Sequence, residues 1–247
     1  SMIKKISCYF LFLLAFSIYA AEEQVPLISN AEELKNVKAR KIVWQKDKSI
    51  MVAIPSSNNT KNFWMDITEV TVGQFKRFLE LSNYETDEVI KWNDVHTYSP
   101  TDKNPMICIS WNDAMAYAKW VGKRLPTEKE WEFAARGGLI GKEYSWGNDE
   151  QMARHYANID GIGGKDRWGN ETAPVGSFNP NGYGLYDMAG NTWEWCQNWY
   201  DSSQSSKVSR GGSWVNNMYN IRVVDRIRFA SNNWDFNFGF RCVSGPN

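Results

Sequence analysis

The hydrophobic pattern is regular between about residues 49 and 137 and irregular after them. Residues 49–54 have the apolar composition of a strand and end at a Pro-Ser-Ser-Asn-Asn loop signal. A second strand is predicted to begin at Phe63. Beyond Thr71, which can cap a helix, apolar residues recur at helical spacing, at Val72, Phe75, Phe78 and Leu79. This part of the chain is therefore predicted to fold as two strands followed by a helix.

Two capping signals predict a further pair of helices. Ser110-Trp-Asn-Asp113 has the S-x-x-D pattern, and Thr127-Glu-Lys-Glu130 is a full capping box, each before an apolar run with helical spacing. After Gly138 no helix-length period occurs, and short apolar runs alternate with Gly, Asn, Asp and Trp. This pattern is typical of loops between short strands, and such loops often carry function.

The first residues have the pattern of a secretory signal peptide, which we assign to residues 1–21. Ser1 is interpreted as a residue left by cloning. Two lysines precede an apolar stretch at 6–19, which is shorter than the ~20 residues needed to span a bilayer. We therefore expect an exported protein, at the cell surface, in the periplasm or secreted. Cys8 lies inside the apolar stretch rather than after it, so lipid anchoring stays open.

The rest of the chain shows no internal repeat and no linker that would divide it. Residues 22–48 are largely polar and are expected to form an exposed N-terminal segment. Residues 49–247 are then predicted to form a single domain, a length that suffices for a sizeable core.

Charge and histidine content exclude several functions. Lys plus Arg and Asp plus Glu both total 28, so no long-range field would hold a polyanion, and nucleic acid is not an expected partner. His96 and His155 are the two histidines of the chain, which rules out a three-histidine metal site. Each is interpreted as a surface or structural residue. The 13 Trp and 18 Gly fit a turn-rich fold better than a helical bundle.

Cysteine usage gives no support to a disulfide framework or a structural zinc site. Removal of the signal peptide leaves Cys108, Cys196 and Cys242, which contain no C-x-x-C pair. One disulfide at most can form. We interpret each of the three as a small buried apolar residue.

A series of sequence motifs within residues 49–243 is similar to the motifs of a known protein family. The motifs occur in this order: Asp-Ile-Thr-Glu-Val-Thr at 66–71, Ser-Trp-Asn-Asp-Ala at 110–114, Gly-Lys-Arg-Leu-Pro-Thr at 122–127, Ala-Asn-Ile at 157–159, Gly-Asn-Thr-Trp-Glu-Trp at 190–195, Arg-Gly-Gly-Ser-Trp at 210–214 and Gly-Phe-Arg-Cys at 239–242. The chain resembles the formylglycine-generating-enzyme family, also called the sulfatase-modifying-factor domain. This resemblance implies an α+β, C-type-lectin-like fold with two helices, short strands and long irregular loops.

The resemblance also implies where an oxidase site would lie. Oxidising members of the family hold copper and the substrate thiol with two cysteines five residues apart, shortly after the Gly-Gly-Ser motif. Those positions here are Asn216 and Ile221. Because Cu(I) requires soft thiolate ligands, we expect no copper and no enzyme activity. The histidine triad of the iron-dependent relatives and a G-x-S-x-G nucleophile motif are also absent from the sequence.

Calcium is the cofactor that the resemblance supports, in a structural role. One family site corresponds to Asn158, Ile159, Asp166 and Trp168, although the length of this loop differs. The second corresponds to Asp187, Gly190, Thr192 and Glu194. The alternative stays open that Asp187 and Glu194 bond to backbone amides in a metal-free loop.

Residues 210–241 resemble the variable repeat of proteins that are diversified by retroelements. Between Trp214 and Gly239 the segment contains six asparagines and five aromatic residues, and its period fits neither a strand nor a helix. In this resemblance the fixed positions are 210–214, Arg222, Arg226 and 239–241. The two arginines are expected to point inward and to be paired.

The positions expected to vary, and therefore to bind a ligand, are Val215, Asn217, Tyr219, Asp225, Ile227, Arg228, Phe229, Trp234, Phe236 and Phe238. Tyr, Trp, Phe and Arg make rigid contacts in binding surfaces, so four aromatics are expected to be exposed neighbours: Tyr219, Phe229, Trp234 and Phe236. The alternative is that these aromatics fill the core.

The sequence thus predicts a monomeric, exported binding protein without enzyme activity, whose unknown protein ligand lies on another cell or a host surface. Two alternatives remain at this point. One is an oxidoreductase of the formylglycine-generating type with an unrecognised active site. The other is a carbohydrate-binding protein, which would require an open coordination position on calcium.

Overall fold

Two sheets and five α-helices are present in the part of the chain that the computed structural model describes, residues 25–161 and 167–245. The first sheet has the order β1-β2-β3-β4-β9. Its strands are β1 (Leu27–Ile28), β2 (Lys41–Trp44), β3 (Ile50–Ile54), β4 (Phe63–Asp66) and β9 (Val243–Ser244). β9 pairs antiparallel with β4 and forms the edge of this sheet opposite β1, so the C-terminal strand completes a sheet built by the N-terminal part of the chain.

The second sheet carries the C-terminal half of the chain. Its strands are β5 (Trp193–Trp199), β6 (Lys207–Arg210), β7 (Arg226–Phe229) and β8 (Phe238–Gly239), in the order β7-β6-β5-β8. Three of these strands are short and are separated by long loops, as the absence of a helical period predicts. The candidate variable segment, residues 210–241, therefore contributes two strands of this sheet, β7 and β8.

The three helices predicted from capping signals are present. They are α1 (Val72–Ser82), α3 (Trp111–Val121) and α4 (Glu128–Arg136), and each begins with a reciprocal capping box, at Thr71, Ser110 and Thr127. Two shorter helices, α2 (Trp92–Tyr98) and α5 (Ala153–Tyr156), were not predicted, so a count of two helices is too low. Three 3₁₀ turns lie at Glu33–Asn36, Glu150–Met152 and Met218–Ile221.

The expectation that residues 22–48 form an exposed segment is wrong for their described part. β2 pairs antiparallel with β3, and the side chains of Ile42 and Trp44 are fully buried. Trp44 Nε1 also donates a hydrogen bond of 2.8 Å to the Val121 carbonyl at the end of α3. The folded domain therefore begins before residue 49, and the polar residues of this stretch cover an apolar layer.

The main core lies between the first sheet and α1 and α3. Phe75 stacks on Tyr117 with ring centroids 5.9 Å apart, and Phe240 contacts both rings edge-on. A buried ion cluster supports this core, because Lys123 Nζ lies 3.0 Å from Asp47 Oδ2 and 2.7 Å from Asp66 Oδ1. The aromatic core and the ion cluster fix α3 against the sheet.

The three cysteines of the described chain, Cys108, Cys196 and Cys242, are free and buried, which confirms their interpretation as small buried residues. None of the helices in the described ranges is long and apolar enough to cross a membrane. The proposed signal peptide at residues 1–21 lies outside the described residues.

Candidate binding face

The candidate segment, residues 210–241, is held at both ends by arginine side chains. Arg210 Nη2 lies 2.6 Å from Glu128 Oε1 and 3.2 Å from Glu132 Oε2, both on α4. At the other end, fully buried Arg241 forms a bidentate pair with Glu194 of β5, with Nη2 2.7 Å from Oε1. Both ends of the segment are therefore fixed by carboxylates that lie outside it.

The two fixed arginines inside the segment are paired but not buried. Arg226 Nε lies 3.2 Å from Glu128 Oε1, and Arg222 Nε lies 3.6 Å from Asp225 Oδ2. The expected pairing is confirmed. The expected inward orientation is met only in part, since each of the two side chains is 35% exposed. A partly exposed guanidinium keeps part of its hydration, so these pairs mainly orient the chain.

Strand β7 directs the candidate residues to opposite faces. In the register with β6, Phe229 lies opposite Lys207 and Arg228 lies opposite Val208. Because successive side chains of a strand alternate between its faces, Ile227 and Phe229 lie half-buried against the core, whereas the Arg228 side chain is 65% exposed on the other face. The expectation that Phe229 is exposed is wrong for this reason.

Three aromatic rings form a cluster at the end of the segment nearest to α2. Phe236 lies 4.9 Å from Tyr98 and 5.8 Å from Trp214, and the last two rings stack at 5.6 Å. Phe236 is half-buried, so its predicted exposure is also wrong. Tyr98 was not predicted to contribute here, because it precedes the segment by more than a hundred residues and belongs to an unpredicted helix.

The loop after Trp214 is the most exposed part of the segment. Val215 is 39% exposed and Tyr219 is 72% exposed, as predicted for both. Asn217 is exposed too, and its side-chain oxygen accepts a hydrogen bond of 3.0 Å from the Tyr219 amide. Asp225 is half-buried, and burial raises the pKa of its carboxyl group. Val224, 52% exposed, is an apolar surface residue that the sequence did not single out.

Two remaining aromatics differ in position. Phe238 is buried and stacks on Phe229 at 4.8 Å, so its assignment to the surface is wrong; it begins β8 and fills the core instead. Trp234 is half-buried, packs against the main core and has Lys91 Nζ 5.5 Å from its ring centroid. Tyr219 is therefore the one exposed member of the four aromatics predicted to form the surface.

The two positions that correspond to copper ligands contain no group that binds Cu(I). Asn216 Oδ1 accepts hydrogen bonds from the backbone amide and the hydroxyl of Ser213, at 3.0 and 2.7 Å. Ile221 is fully buried in an apolar cluster with Met218 and Ile159. Neither position carries a thiolate, so the local chemistry does not fit copper.

The structure describes three of the four residues of the first candidate calcium site. Asn158 is buried, and its side-chain amide donates to the Glu171 carbonyl and to Asn191 Oδ1, each at 3.1 Å. Ile159 is buried beside it, and Trp168 is half-buried. Asp166 lies outside the described residues. The amide nitrogen points to protein acceptors, an orientation that leaves the side-chain oxygen of Asn158 as the donor for a hard cation.

The four residues of the second candidate calcium site do not all have oxygen atoms available for the ion. Both Glu194 carboxylate oxygens accept from Arg241, and Oε2 also accepts from Trp131 Nε1 at 2.7 Å. Asp187 Oδ2 accepts from the Gly176 amide, while its Oδ1 is buried without a hydrogen-bond partner, as is Thr192 Oγ1. Gly190, with φ +74°, shapes the turn between them. Glu194 is thus committed to a guanidinium rather than to a metal.

A carboxyl group that the sequence did not single out lies next to this turn. Glu69 is buried, accepts from Asn191 Nδ2 at 2.8 Å through Oε1, and has no hydrogen-bond partner at Oε2. Burial and the nearby Asp187 raise the pKa of Glu69 well above its usual value. Within the described ranges, no three His, Cys, Asp or Glu side chains converge as metal ligands. His96 and His155 are both exposed.

Comparison with known proteins gives matches of two kinds. A family model described as the Sulfatase-modifying factor enzyme 1-like domain matches residues 36–245. The chain is 41% identical over 184 residues to the formylglycine-generating enzyme of Thermomonospora curvata, covering 60% of this chain and 58% of that protein. It is 45% identical over 154 residues to the inactive C-alpha-formylglycine-generating enzyme 2 of Bos taurus, covering 57% of this chain and 50% of that protein. The chain spans about half the length of the curated relatives it matches.

The fold is also similar to that of solved structures. Treponema denticola variable protein 1 matches with a TM-score of 0.66 and 22% identity, covering 80% of this chain and 95% of that chain. At this level of identity the similarity shows the fold alone. The expected α+β, C-type-lectin-like fold is confirmed.

Proposed function

The chain belongs to the sulfatase-modifying factor enzyme 1-like domain family, and we propose that within it the protein is an exported, non-enzymatic receptor whose segment 215–236 is diversified and binds a protein ligand. The observation that carries this proposal is the combination of fixed ends and exposed interior in the candidate segment. Arg210 and Arg241 fix its ends through carboxylates outside it, while Val215, Tyr219 and Arg228 are exposed between them. Such an arrangement tolerates substitution of the exposed positions, because they contribute little to the core.

The composition of the exposed positions supports a protein ligand. Tyr219 offers a large ring with few rotatable bonds, and Arg228 offers a planar group with several donors. Val215 and Val224 add exposed apolar area within the same segment. Phe238 is excluded from the proposed surface by its burial, and Ile227, Phe229, Trp234 and Phe236 contribute only their accessible edges.

The positions that correspond to copper ligands support the absence of oxidase activity. Asn216 is engaged with Ser213, and Ile221 lies inside an apolar cluster. The names of two matching proteins agree with a non-catalytic role: one relative is called inactive, and one structural neighbour is called a variable protein. These names describe those proteins and support the proposal for this chain only by analogy.

The second candidate is formylglycine-generating activity, which the identity to the Thermomonospora curvata enzyme favours. That activity would need a thiol site other than the pair at positions 216 and 221. The three thiols of the described chain do not supply one, since Cys108, Cys196 and Cys242 are all buried.

We also propose one structural calcium ion, at Asn158, Ile159, Asp166 and Trp168. The oriented amide of Asn158 supports this position, whereas the pairing of Glu194 with Arg241 argues against an ion at the second set. Export, a monomeric state and a ligand on another cell or host surface remain part of the same proposal.

Sequencing the genomic neighbourhood tests the proposed function. A reverse transcriptase gene, together with a near-copy of the region that encodes residues 210–241 in which the differences fall on adenines, is the expected result. Sequencing that region in sibling cells should then show changes at codons 215, 219 and 228 and none at 210 or 241. An isolated gene with an invariant segment in all cells contradicts the proposal.

A further inference from the structure

Lys207 is a buried cation enclosed between two aromatic rings. Its residue is 4% exposed, and its Nζ lies 3.5 Å from the centroid of the Trp199 ring and 3.9 Å from that of Trp111. The ammonium donates one hydrogen bond, of 3.2 Å, to the Gln197 carbonyl. An ammonium has three donors; the Gln197 carbonyl accepts from one of them, and the two indole rings enclose the group.

The absence of a carboxylate distinguishes Lys207 from the other buried cations of the described chain. Lys123 has two carboxylates within 3.0 Å, Arg210 pairs with Glu128 at 2.6 Å, and Arg241 pairs with Glu194 at 2.7 Å. No acidic side chain in the described ranges forms a salt bridge with Lys207. Burial consequently lowers the pKa of Lys207. The fold therefore holds this positive charge without an anion to offset it.

The enclosed ammonium lies on the face of the second sheet to which Phe229 of the candidate segment projects, opposite the face that carries Arg228. Lys207 is the β6 residue opposite Phe229 of β7 and opposite Trp199 of β5, so the three side chains project from one face of the sheet. Trp199 is 39% exposed and forms the outer wall. The charge is thus separated from solvent by one exposed ring.

The balance of forces favours an anion at this position. A cation–π contact only partly offsets the cost of removing an ammonium from water. An apolar chain of similar length, such as methionine, would fill the same space without that cost. A carboxylate brought by a ligand would restore the missing pair in a site of low dielectric.

We propose that Lys207 is an anion subsite at the Phe229 edge of the candidate segment and that it pairs with a carboxylate of the protein ligand when the exposed Trp199 ring turns aside. This inference rests on the proposed function, because it assigns a chemical class to the part of the ligand that covers Phe229 rather than Arg228. The carboxylate is either an Asp or Glu side chain or a C-terminus, and Trp111, Phe229 and Trp199 provide apolar walls for the chain that carries it.

The test uses small carboxylate probes and nuclear magnetic resonance. The indole N–H signal of Trp199, assigned with a Trp199→Phe variant, is followed during titration with N-acetylphenylalanine, which ends in a main-chain carboxylate. A second titration uses N-acetylglutamic acid α-amide, which offers a side-chain carboxylate, and N-acetylphenylalaninamide is the neutral control. A saturable shift with at least one carboxylate and none with the neutral amide is expected, and the responding probe identifies the source.

Charge variants provide the matched control. Lys207→Met keeps the approximate length of the side chain and removes the charge, and should weaken probe binding by about tenfold or more, because it removes a hydrogen bond between two charged groups. Lys207→Arg should retain binding. Equal affinity in wild type and Lys207→Met, or no saturable shift with either carboxylate, overturns the proposal.

A measurement on the unaltered protein covers the case in which Lys207→Met does not fold. The Cε signal of ¹³C-labelled Lys207 reports its titration directly, and bound carboxylate should raise the pKa of this lysine. An unchanged pKa at saturating probe overturns the subsite. The failure of this test and the failure of the proposed function are distinguishable, because probe binding does not depend on whether the gene is diversified.

Discussion

Arg228 and Phe229 are consecutive residues of β7 whose side chains leave opposite faces of the second sheet. Phe229 contacts Trp195 at 6.2 Å and Phe238 at 4.8 Å between ring centroids. Arg228 instead has its guanidinium carbon 5.7 Å from the Tyr200 ring and a nitrogen 3.8 Å from Asp201 Oδ2. A ligand that covers one face of this strand therefore contacts only one of the two side chains.

Paired alanine substitutions should separate these roles. Arg228→Ala should change the free energy of unfolding by no more than about 0.5 kcal/mol, because exposed ion pairs contribute little. Phe229→Ala should cost about 2 kcal/mol or more, because it removes a ring packed on the core. Urea melts of the two variants measure both values, and equal costs would contradict the assignment of the two faces.

Copper-dependent thiol oxidation should be absent. Asn216 and Ile221 lack the thiolates that hold Cu(I), so oxygen consumption with a cysteine-containing peptide and Cu(I) should equal that of the buffer with copper alone. A bacterial formylglycine-generating enzyme, assayed in parallel, shows that the assay detects turnover. Turnover by this protein above the copper control would remove the non-enzymatic proposal.

Calcium should stabilise the protein through a single site. For one site with the ion at a hundredfold excess over its Kd, linkage predicts a gain of about 2.7 kcal/mol in the free energy of unfolding. Thermal melts with chelator and with millimolar calcium, on protein first stripped of metal, measure this gain. Asp166→Ala should abolish it and Glu194→Gln should not, because Glu194 pairs with Arg241. The same melting temperature in both conditions would count against the ion.

The buried thiol of Cys108 should make stability fall at alkaline pH. Burial raises the pKa of Cys108 from 9.0 to about 12, so between these values the folded protein keeps a proton that the unfolded chain releases. The free energy of unfolding should then decrease by up to about 1.4 kcal/mol per pH unit from this group. Urea melts at pH 8 and pH 10 should show a smaller decrease in Cys108→Ala than in wild type. Parallel decreases in the two proteins would show that Cys108 titrates normally when folded.

Local signals in the sequence are sufficient to predict the longer helices. Thr71, Ser110 and Thr127 each bond to a residue three positions later, so the information is contained in one turn of chain. β2 could not be predicted in this way. Its burial arises from pairing with β3 and from the contact of Trp44 with α3, which are properties of the assembled fold.

Residue type alone could not divide the aromatics of the candidate segment between surface and core. Tyr219 lies in a short 3₁₀ turn and points outward. Phe238 of β8 instead pairs with Trp193 of β5, and its side chain points inward. Both satisfy the same description as large side chains in an Asn-rich run. The motif likewise assigns Glu194 to calcium. Its pairing with Arg241 could not be predicted from local sequence, because the two residues are 47 positions apart.

The shared carboxylate of Glu128 has a practical consequence for protein engineering. It fixes Arg210 and Arg226 from a helix that the candidate segment does not include, so the anchoring of the loop is encoded separately from the loop itself. Positions 215, 219, 224 and 228 could be randomised together in a combinatorial library while every anchoring pair stays constant. The domain would then serve as a display scaffold whose described cysteines form no disulfide bond. Selection would act on the exposed side chains while the packing beneath them stays the same.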